Sequence, residues 1–237
     1  MATYTGAMET LQGKTASAPE WLQVESQGVL LAFTNPPTGE EEAFNAAYQE
    51  HAAARLRVPG ILNARRYMAV ADEGPRYMAF YDLETPAAVQ RPEYARLASE
   101  ASPSERDMFA RLPLLDRRVL KLVLGTAAWT EDPPYMMTVA LEPAAGTRDD
   151  FIAWYHQEHI PLLLQVPGWR RSRLFEQVEG TGPSFCAFQE FESQAVFDAP
   201  EYRKASGTPW RERVMGGVTR RERHIFKLLS TFPRPRT

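Results

Sequence analysis

Apolar positions in this chain come in short runs that alternate between two periods. In the C-terminal half, residues 135–142 (YMMTVALE) form an apolar run that predicts a strand. After Gly146, Thr147-Arg148-Asp149-Asp150 resembles a capping box with Asp in place of Glu, and Asp149 and Asp150 suit the positive end of a helix. Phe151, Tyr155, His159, Leu162 and Val166 then recur at helical spacing and predict one buried face. Pro161 removes a backbone donor inside that helix and predicts a kink, and Val166-Pro167-Gly168 predicts its end. Residues 169–178 and 185–191 read as a hairpin across the turn Gly180-Thr181-Gly182-Pro183. Residues 193–206 predict a second helix, with Pro200 as the place where it would break, and 223–229 a last strand, with no element assigned to 208–219.

The N-terminal half follows the same order. Strands are predicted at 28–34, 61–70, 77–83 and 117–124, and helices at 40–57 and 86–99. The order in each half is β-α-β-β-α-β, the split-βαβ unit. The first strand of each unit is apolar on both faces, so helices cannot be its only cover. The expected fold class is α+β, with two ferredoxin-like βαββαβ units packed sheet-to-sheet as an intrachain dimeric α/β barrel. Expected boundaries are an N-terminal extension at 1–24, a first unit at 25–124, a linker at 125–134, a second unit at 135–230 and a tail at 231–237.

A repeat in the letters themselves supports this division. Residues 47–94 lie over 155–202 at a constant offset of 108 with 18 identities in 48 positions. Gln49-Glu50-His51 falls on Gln157-Glu158-His159, Val58-Pro59-Gly60 on Val166-Pro167-Gly168, and Pro92-Glu93-Tyr94 on Pro200-Glu201-Tyr202. A repeat of this length predicts one structural unit used twice.

Composition changes the picture mainly by exclusion. Hydrophobic content of 44% and charged content of 24% are those of an ordinary globular protein. A net charge of −3 without a basic stretch argues against nucleic acid, and no apolar run is long enough to span a membrane. Cys186 is the sole cysteine, so no intrachain disulfide can form, which fits a reducing, cytoplasmic setting. There is no glycine-rich phosphate loop and no G-x-S-x-G nucleophile motif.

The segment Trp154-Tyr155-His156-Gln157-Glu158-His159-Ile160-Pro161, followed by Val166-Pro167-Gly168 and a strand with Arg170, Arg171, Arg173 and Phe175, resembles the EthD-like family of dimeric α/β-barrel proteins. The likeness covers residues 135–230 and, more weakly, 28–124, where Tyr48 stands in place of His156 and Ala53 in place of Pro161. It implies a barrel of two ferredoxin-like units, with a pocket between helices and sheet in each. Related barrels include cofactor-free monooxygenases, cyclases, decarboxylases and haem enzymes, so fold analogy does not choose the chemistry.

Four histidines are the candidate acid/base groups: His156, His159 and His224 in the second half and His51 in the first. His159 shares its face with Phe151, Tyr155 and Leu162, so its imidazole is expected in an apolar cavity as a neutral base. The expected catalytic set is His159, His156, His224 and Tyr155. Arg173 is expected to hold a substrate carboxylate, with Trp154, Trp169 and Phe188 lining an aromatic cavity. The first-half counterparts are His51, Tyr48 and Arg65. Each side chain also has a packing role as its alternative. A metal held by His156, His159 and His224 would need a carboxylate at ligand spacing, which the helix does not offer, so neither metal nor cofactor is expected. The function expected is a cofactor-independent lyase (a decarboxylase, dehydratase or cyclase) on a small aromatic, phenolic or polyketide-like substrate. An oxygenase and a non-catalytic small-molecule-binding protein are the alternatives. A further homodimer is compatible with this architecture.

Overall fold

The structure, a computed structural model, describes residues 26–126, 132 and 134–233. The expected N-terminal extension and most of the expected linker lie outside the described residues. Eight strands close into one antiparallel barrel in the order β1-β3-β2-β8-β5-β7-β6-β4. They are β1 (Gly28–Asn35), β2 (Ile61–Ala69), β3 (Tyr77–Leu83), β4 (Leu114–Gly125), β5 (Tyr135–Pro143), β6 (Trp169–Glu179), β7 (Phe185–Phe191) and β8 (Val218–Pro233).

Within each half the spatial strand order is fourth-first-third-second. The halves meet along two hydrogen-bonded seams, β2 with β8 and β4 with β6. The two sheets thus do more than pack face to face: their edges pair and no open edge remains. The seams use strand lengths that apolar runs do not reveal. β8 starts five residues before the predicted strand, in a polar stretch, and runs through residues 231–233 of the expected tail, where Phe232 pairs with Ala64 and Thr231 with Arg65.

Strand alternation sorts the side chains into a barrel interior and an outer face under the helices. Val29, Leu31, Phe33, Met78, Phe80, Leu120, Phe175, Phe188 and Phe226 fill the interior. The neighbouring positions on the same strands, such as Leu30, Ala79, Tyr81, Leu141 and Ala187, face the helices. At one end the interior turns polar. Arg173 bridges Asp82 on β3 at 2.6 Å and Glu190 on β7 at 2.7 Å, and Arg65 also binds Asp82. These side chains are all buried, so the pairs tie opposite walls of the barrel in a low dielectric.

The helices are α1 (Glu41–Arg55), α2 (Pro92–Glu100), α3 (Pro103–Ala110), α4 (Arg148–Trp154), α5 (Ile160–Leu163), α6 (Pro200–Ser206) and α7 (Pro209–Gly216). Short 3-10 turns at Pro86–Gln90 and Gln194–Asp198 precede α2 and α6: the break expected at Pro200 is there, and the helix expected undivided at 86–99 is divided in the same way. α3 and α7 were not expected. Each begins Ser-Pro or Thr-Pro: Ser102 accepts from the Glu105 backbone N–H at 3.1 Å and Thr208 from that of Arg211 at 3.2 Å. The predicted capping box at Thr147 does not form. Its hydroxyl instead donates to the Ala144 carbonyl at 2.8 Å, in a turn.

Between α4 and α5 the helix widens into one π-turn, Tyr155–His159, in which the Ile160 N–H reaches the Tyr155 carbonyl. The kink expected at Pro161 takes this form: a proline there cannot donate to the fourth residue back, and the wider turn accommodates the loss. The turn also holds one extra residue relative to α1. Phe44 and Tyr48 have ring centroids 5.1 Å apart, and so do Phe151 and Tyr155, an offset of 107. Gln49-Glu50-His51 and Gln157-Glu158-His159 keep the offset of 108. His156 is therefore the residue with no counterpart. Tyr48 matches Tyr155, which corrects the gapless pairing of Tyr48 with His156.

Candidate functional site

A cavity lies under α4, the π-turn, α6 and α7, on the outer face of β5, β7 and β8. Its volume is about 50 Å³, room for a few waters or a head group of a few atoms. Trp154, Tyr155 and His159 line one wall, Met137, Val139 and Leu141 the floor, and Arg211, Arg221 and Arg223 the rim. The strand pairing explains the rim: Leu141 sits opposite Arg221 and Val139 opposite Arg223, so both guanidinium groups share the floor's face.

His159 is packed between aromatic rings. Trp154 stacks on it at 4.4 Å and 23°, and Tyr155 meets it edge-on at 5.3 Å. Its Nδ1 is buried without a hydrogen-bond partner among the described residues. Burial pushes its pKa down to about 3, Arg211 adds to the lowering, and a hydrogen bond to the Ala205 backbone works weakly the other way. With the ring proton on Nε2, Nδ1 of this cavity-lining residue is a lone-pair acceptor with no partner among the described residues. Burial pushes the Tyr155 phenol up, so it remains a neutral O–H.

The first half builds the same pocket with different chemistry. Its cavity is about 100 Å³ and is lined by Leu30, Tyr48, His51, Arg55, Phe109, Leu115 and Arg117, among others. There His51 stacks on Phe109 at 4.1 Å and its Nδ1 lies 2.7 Å from Glu105 of α3. Burial pushes His51 down to about 2 and raises Glu105, so this tight pair shares one proton and carries no free lone pair on Nδ1. Glu105 is the third residue after the cap Ser102, and the third residue after the cap Thr208 is Arg211. The acid that occupies His51 in one half is thus replaced in the other by a cation that cannot accept from His159.

The remaining expected residues do not converge here. His156 lies half-buried on the π-turn and does not line the cavity. His224 sits on the opposite face of β8, half-buried at the mouth of the barrel interior with Phe33 at 5.8 Å and Phe226 at 6.1 Å, where it lines a separate cavity of about 450 Å³ with Ala69, Gly74 and Gln194. Arg173 is fully buried between Asp82 and Glu190, and Arg65 is bound to Asp82, so neither reaches a pocket. Phe188 packs in the interior against Phe80 at 4.9 Å. Trp169 belongs to a neighbouring outer cluster, where its indole N–H donates to Gln189 at 3.2 Å. Sequence reasoning missed Arg211, Arg221 and Arg223. The Thr-Pro cap that positions Arg211 was the available signal; β8 beyond its apolar run gave none.

Among the described residues no cluster of three or more His, Cys, Asp or Glu side chains could hold a metal ion, and no helix is long and apolar enough to cross a membrane. The cavity does not fit a haem, because its free volume of about 50 Å³ admits no macrocycle.

Most of the chain resembles solved barrels. An anthrone oxidase-like protein superposes with a TM-score of 0.67 at 14% identity, covering 91% of this chain and 96% of its own. A monooxygenase-like protein of Lactobacillus acidophilus gives 0.58 at 11%, covering 89% and 97%. A variant of chlorite dismutase from Candidatus Nitrospira defluvii gives 0.59 at 12%, covering 87% and 92%. The fold is the dimeric α/β barrel. No family model and no curated protein sequence matches this barrel chain, so its EthD-like character stays a likeness of the motif at residues 154–168.

Proposed function

We propose that this barrel protein is an enzyme for a small aromatic, phenolic or polyketide-like molecule, and that His159 is the group that takes and returns the proton. One observation carries the reading. His159 Nδ1 is a buried, neutral, unoccupied acceptor on a cavity wall, while the equivalent atom of His51 is spent on Glu105. A buried acceptor left open costs about 1–3 kcal/mol, which a purely structural pocket has no reason to keep in one half and cancel in the other.

In the lyase reading, Nδ1 accepts a proton from a substrate hydroxyl or an acidic C–H, the anion formed beside it holds the imidazolium that burial disfavours in the empty site, Tyr155 donates to that oxyanion, and the imidazolium gives the proton back after the bond breaks. The cycle is proton-neutral and needs no cofactor. One well-placed acid/base group of this kind contributes roughly 10²–10⁴-fold. The oxygenase reading shares the first step, with the deprotonated, electron-rich substrate then reacting with O₂. The likeness to anthrone oxidase-like and monooxygenase-like proteins supports it at the level of fold. We further infer that the halves are copies of one ferredoxin-like unit, the first closed by Glu105 and the second left open, and that the chain works in the cytoplasm.

The test offers phenolic acids and anthrones to the native protein, to His159→Ala and to His159→Gln, following substrate loss by chromatography and oxygen with an electrode. Turnover lost in both folded variants supports the assignment, and full turnover in both removes it. Oxygen consumed mole for mole with substrate selects the oxygenase reading.

A further inference from the structure

Arg211, Arg221 and Arg223 rim the cavity, and among the described residues no carboxylate lines it. Arg211 donates to the Ser206 carbonyl at 2.9 Å, and Arg223 Nε lies 3.2 Å from the Met137 sulfur with its guanidinium over Phe197 at 5.4 Å. None of the three makes an ion pair among the described residues. The other half differs on each count. Arg117, in the place of Arg223, is ion-paired with Glu179, Leu115 stands in the place of Arg221, and Glu105 in that of Arg211. Three uncompensated guanidinium groups around one small cavity raise the local concentration of anions and offer them two-pronged hydrogen bonds.

The geometry points to a ligand with two separate groups: an anionic group, a carboxylate in the simplest case, on the arginine rim, and a hydroxyl donating to His159 Nδ1. This rests on the proposal that the His159 cavity is the working site. A carboxylate alone does not satisfy that cavity, because its lone pairs would face the lone pair on Nδ1. A plain phenol satisfies Nδ1 and leaves the rim uncompensated. A hydroxy acid on an aromatic frame meets both. The cavity volume of about 50 Å³ admits the hydroxyl end, and the ring and its carboxylate lie outward along the rim. Arg221 and Arg223 are exposed and reach that outward portion from β8.

The experiment titrates the full chain with 3-hydroxybenzoate, benzoate and phenol by calorimetry. Tightest binding of 3-hydroxybenzoate is expected, about tenfold weaker binding to the double variant Arg221→Ala/Arg223→Ala, and no change in phenol affinity between the two proteins. Arg211→Glu supplies a second arm. It recreates the first half's pairing, so it should capture His159 and abolish binding of both hydroxylated probes. Phenol binding as tightly as 3-hydroxybenzoate, or a double variant with unchanged affinity for the acid, overturns the inference and leaves the His159 proposal standing. Binding of none of the three probes up to their solubility limits overturns both.

Discussion

Tyr155 and His159 are four residues apart in the chain yet hold their rings 5.3 Å apart, while Tyr48 and His51 reach 5.1 Å with a separation of only three. The extra residue is absorbed in the π-turn, and it is His156 that the count singles out. Deleting His156 should convert the turn to ordinary α-helix, keep Phe151 and Tyr155 on the buried face, and leave a cooperatively folded barrel. Circular dichroism and a thermal melt check this. If the deletion variant fails to fold, His156 is structurally required and the assigned equivalence is wrong.

Arg173 does structural work where the sequence suggested substrate binding. It is fully buried and bridges two carboxylates from opposite walls. Arg173→Met should cost about 3–5 kcal/mol, because Asp82 and Glu190 then lose their main counter-charge in the interior. Adding Glu190→Gln to that variant should recover part of the loss. Denaturant unfolding measures both, and a loss below 1 kcal/mol in the single variant would show that the two acids find other partners.

The acid side of stability carries a signature of His159. Folded, its pKa is pushed down to about 3; unfolded, it returns to the ordinary 6.5. Below pH 6.5 the unfolded chain therefore takes up a proton that the folded chain refuses. The contribution is complete above pH 6.5 and is lost progressively as pH falls toward 3, with a slope of at most about 1.4 kcal/mol per pH unit. His159→Gln should flatten the stability profile between pH 6 and 4.5 relative to the native protein. Asp82 and Glu190 act in a separate, lower window. The Arg173, Arg65 and Arg171 charges hold both carboxyls below their ordinary values, so their stability is present above about pH 4 and is lost as pH falls below it. Parallel profiles for His159→Gln and native protein above pH 4.5 would show that the imidazole titrates normally in the fold.

The strands were legible because burial on both faces leaves β1, β3, β5 and β7 as near-continuous apolar runs, and Tyr77–Leu83 and Phe185–Phe191 end where their apolar letters end. The seam strands were not, since half of β8 is polar and its pairing with β2 depends on the other half of the chain. His159 and Tyr155 announced themselves by helical spacing on an apolar face. Arg173 misled for a definite reason: position and residue type suit a carboxylate ligand, but the carboxylates it meets are Asp82 and Glu190 of its own barrel. Arg211 could be found only by comparing the two caps, Ser102 and Thr208, and seeing an acid exchanged for a base three residues on.

The β2–β3 and β6–β7 turns test how the halves interlock. Gly74 lies against the second half's β8, where an added Cβ would sit 3.0 Å from His224 Cε1. Gly182 lies against the first half's β4, where a Cβ would sit 2.3 Å from Arg118 Cζ. Each turn therefore buttresses an interior side chain of the opposite half. Gly182→Ala must displace Arg118 from its bonds to Asp116 and Glu222, at 2.5 and 2.7 Å, and should cost about 1–3 kcal/mol. Gly74→Ala adds a backbone penalty, since its φ is +88°, of about 1 kcal/mol before His224 moves at all. Gly39 supplies the control: its φ is +80° and nothing lies within 4 Å of its Cβ position, so Gly39→Ala reports the backbone penalty alone. Denaturant unfolding should rank Gly74→Ala as more costly than Gly39→Ala, the difference being the contact with His224. Equal losses at the two positions would mean that the turn of one half does not brace the strand of the other.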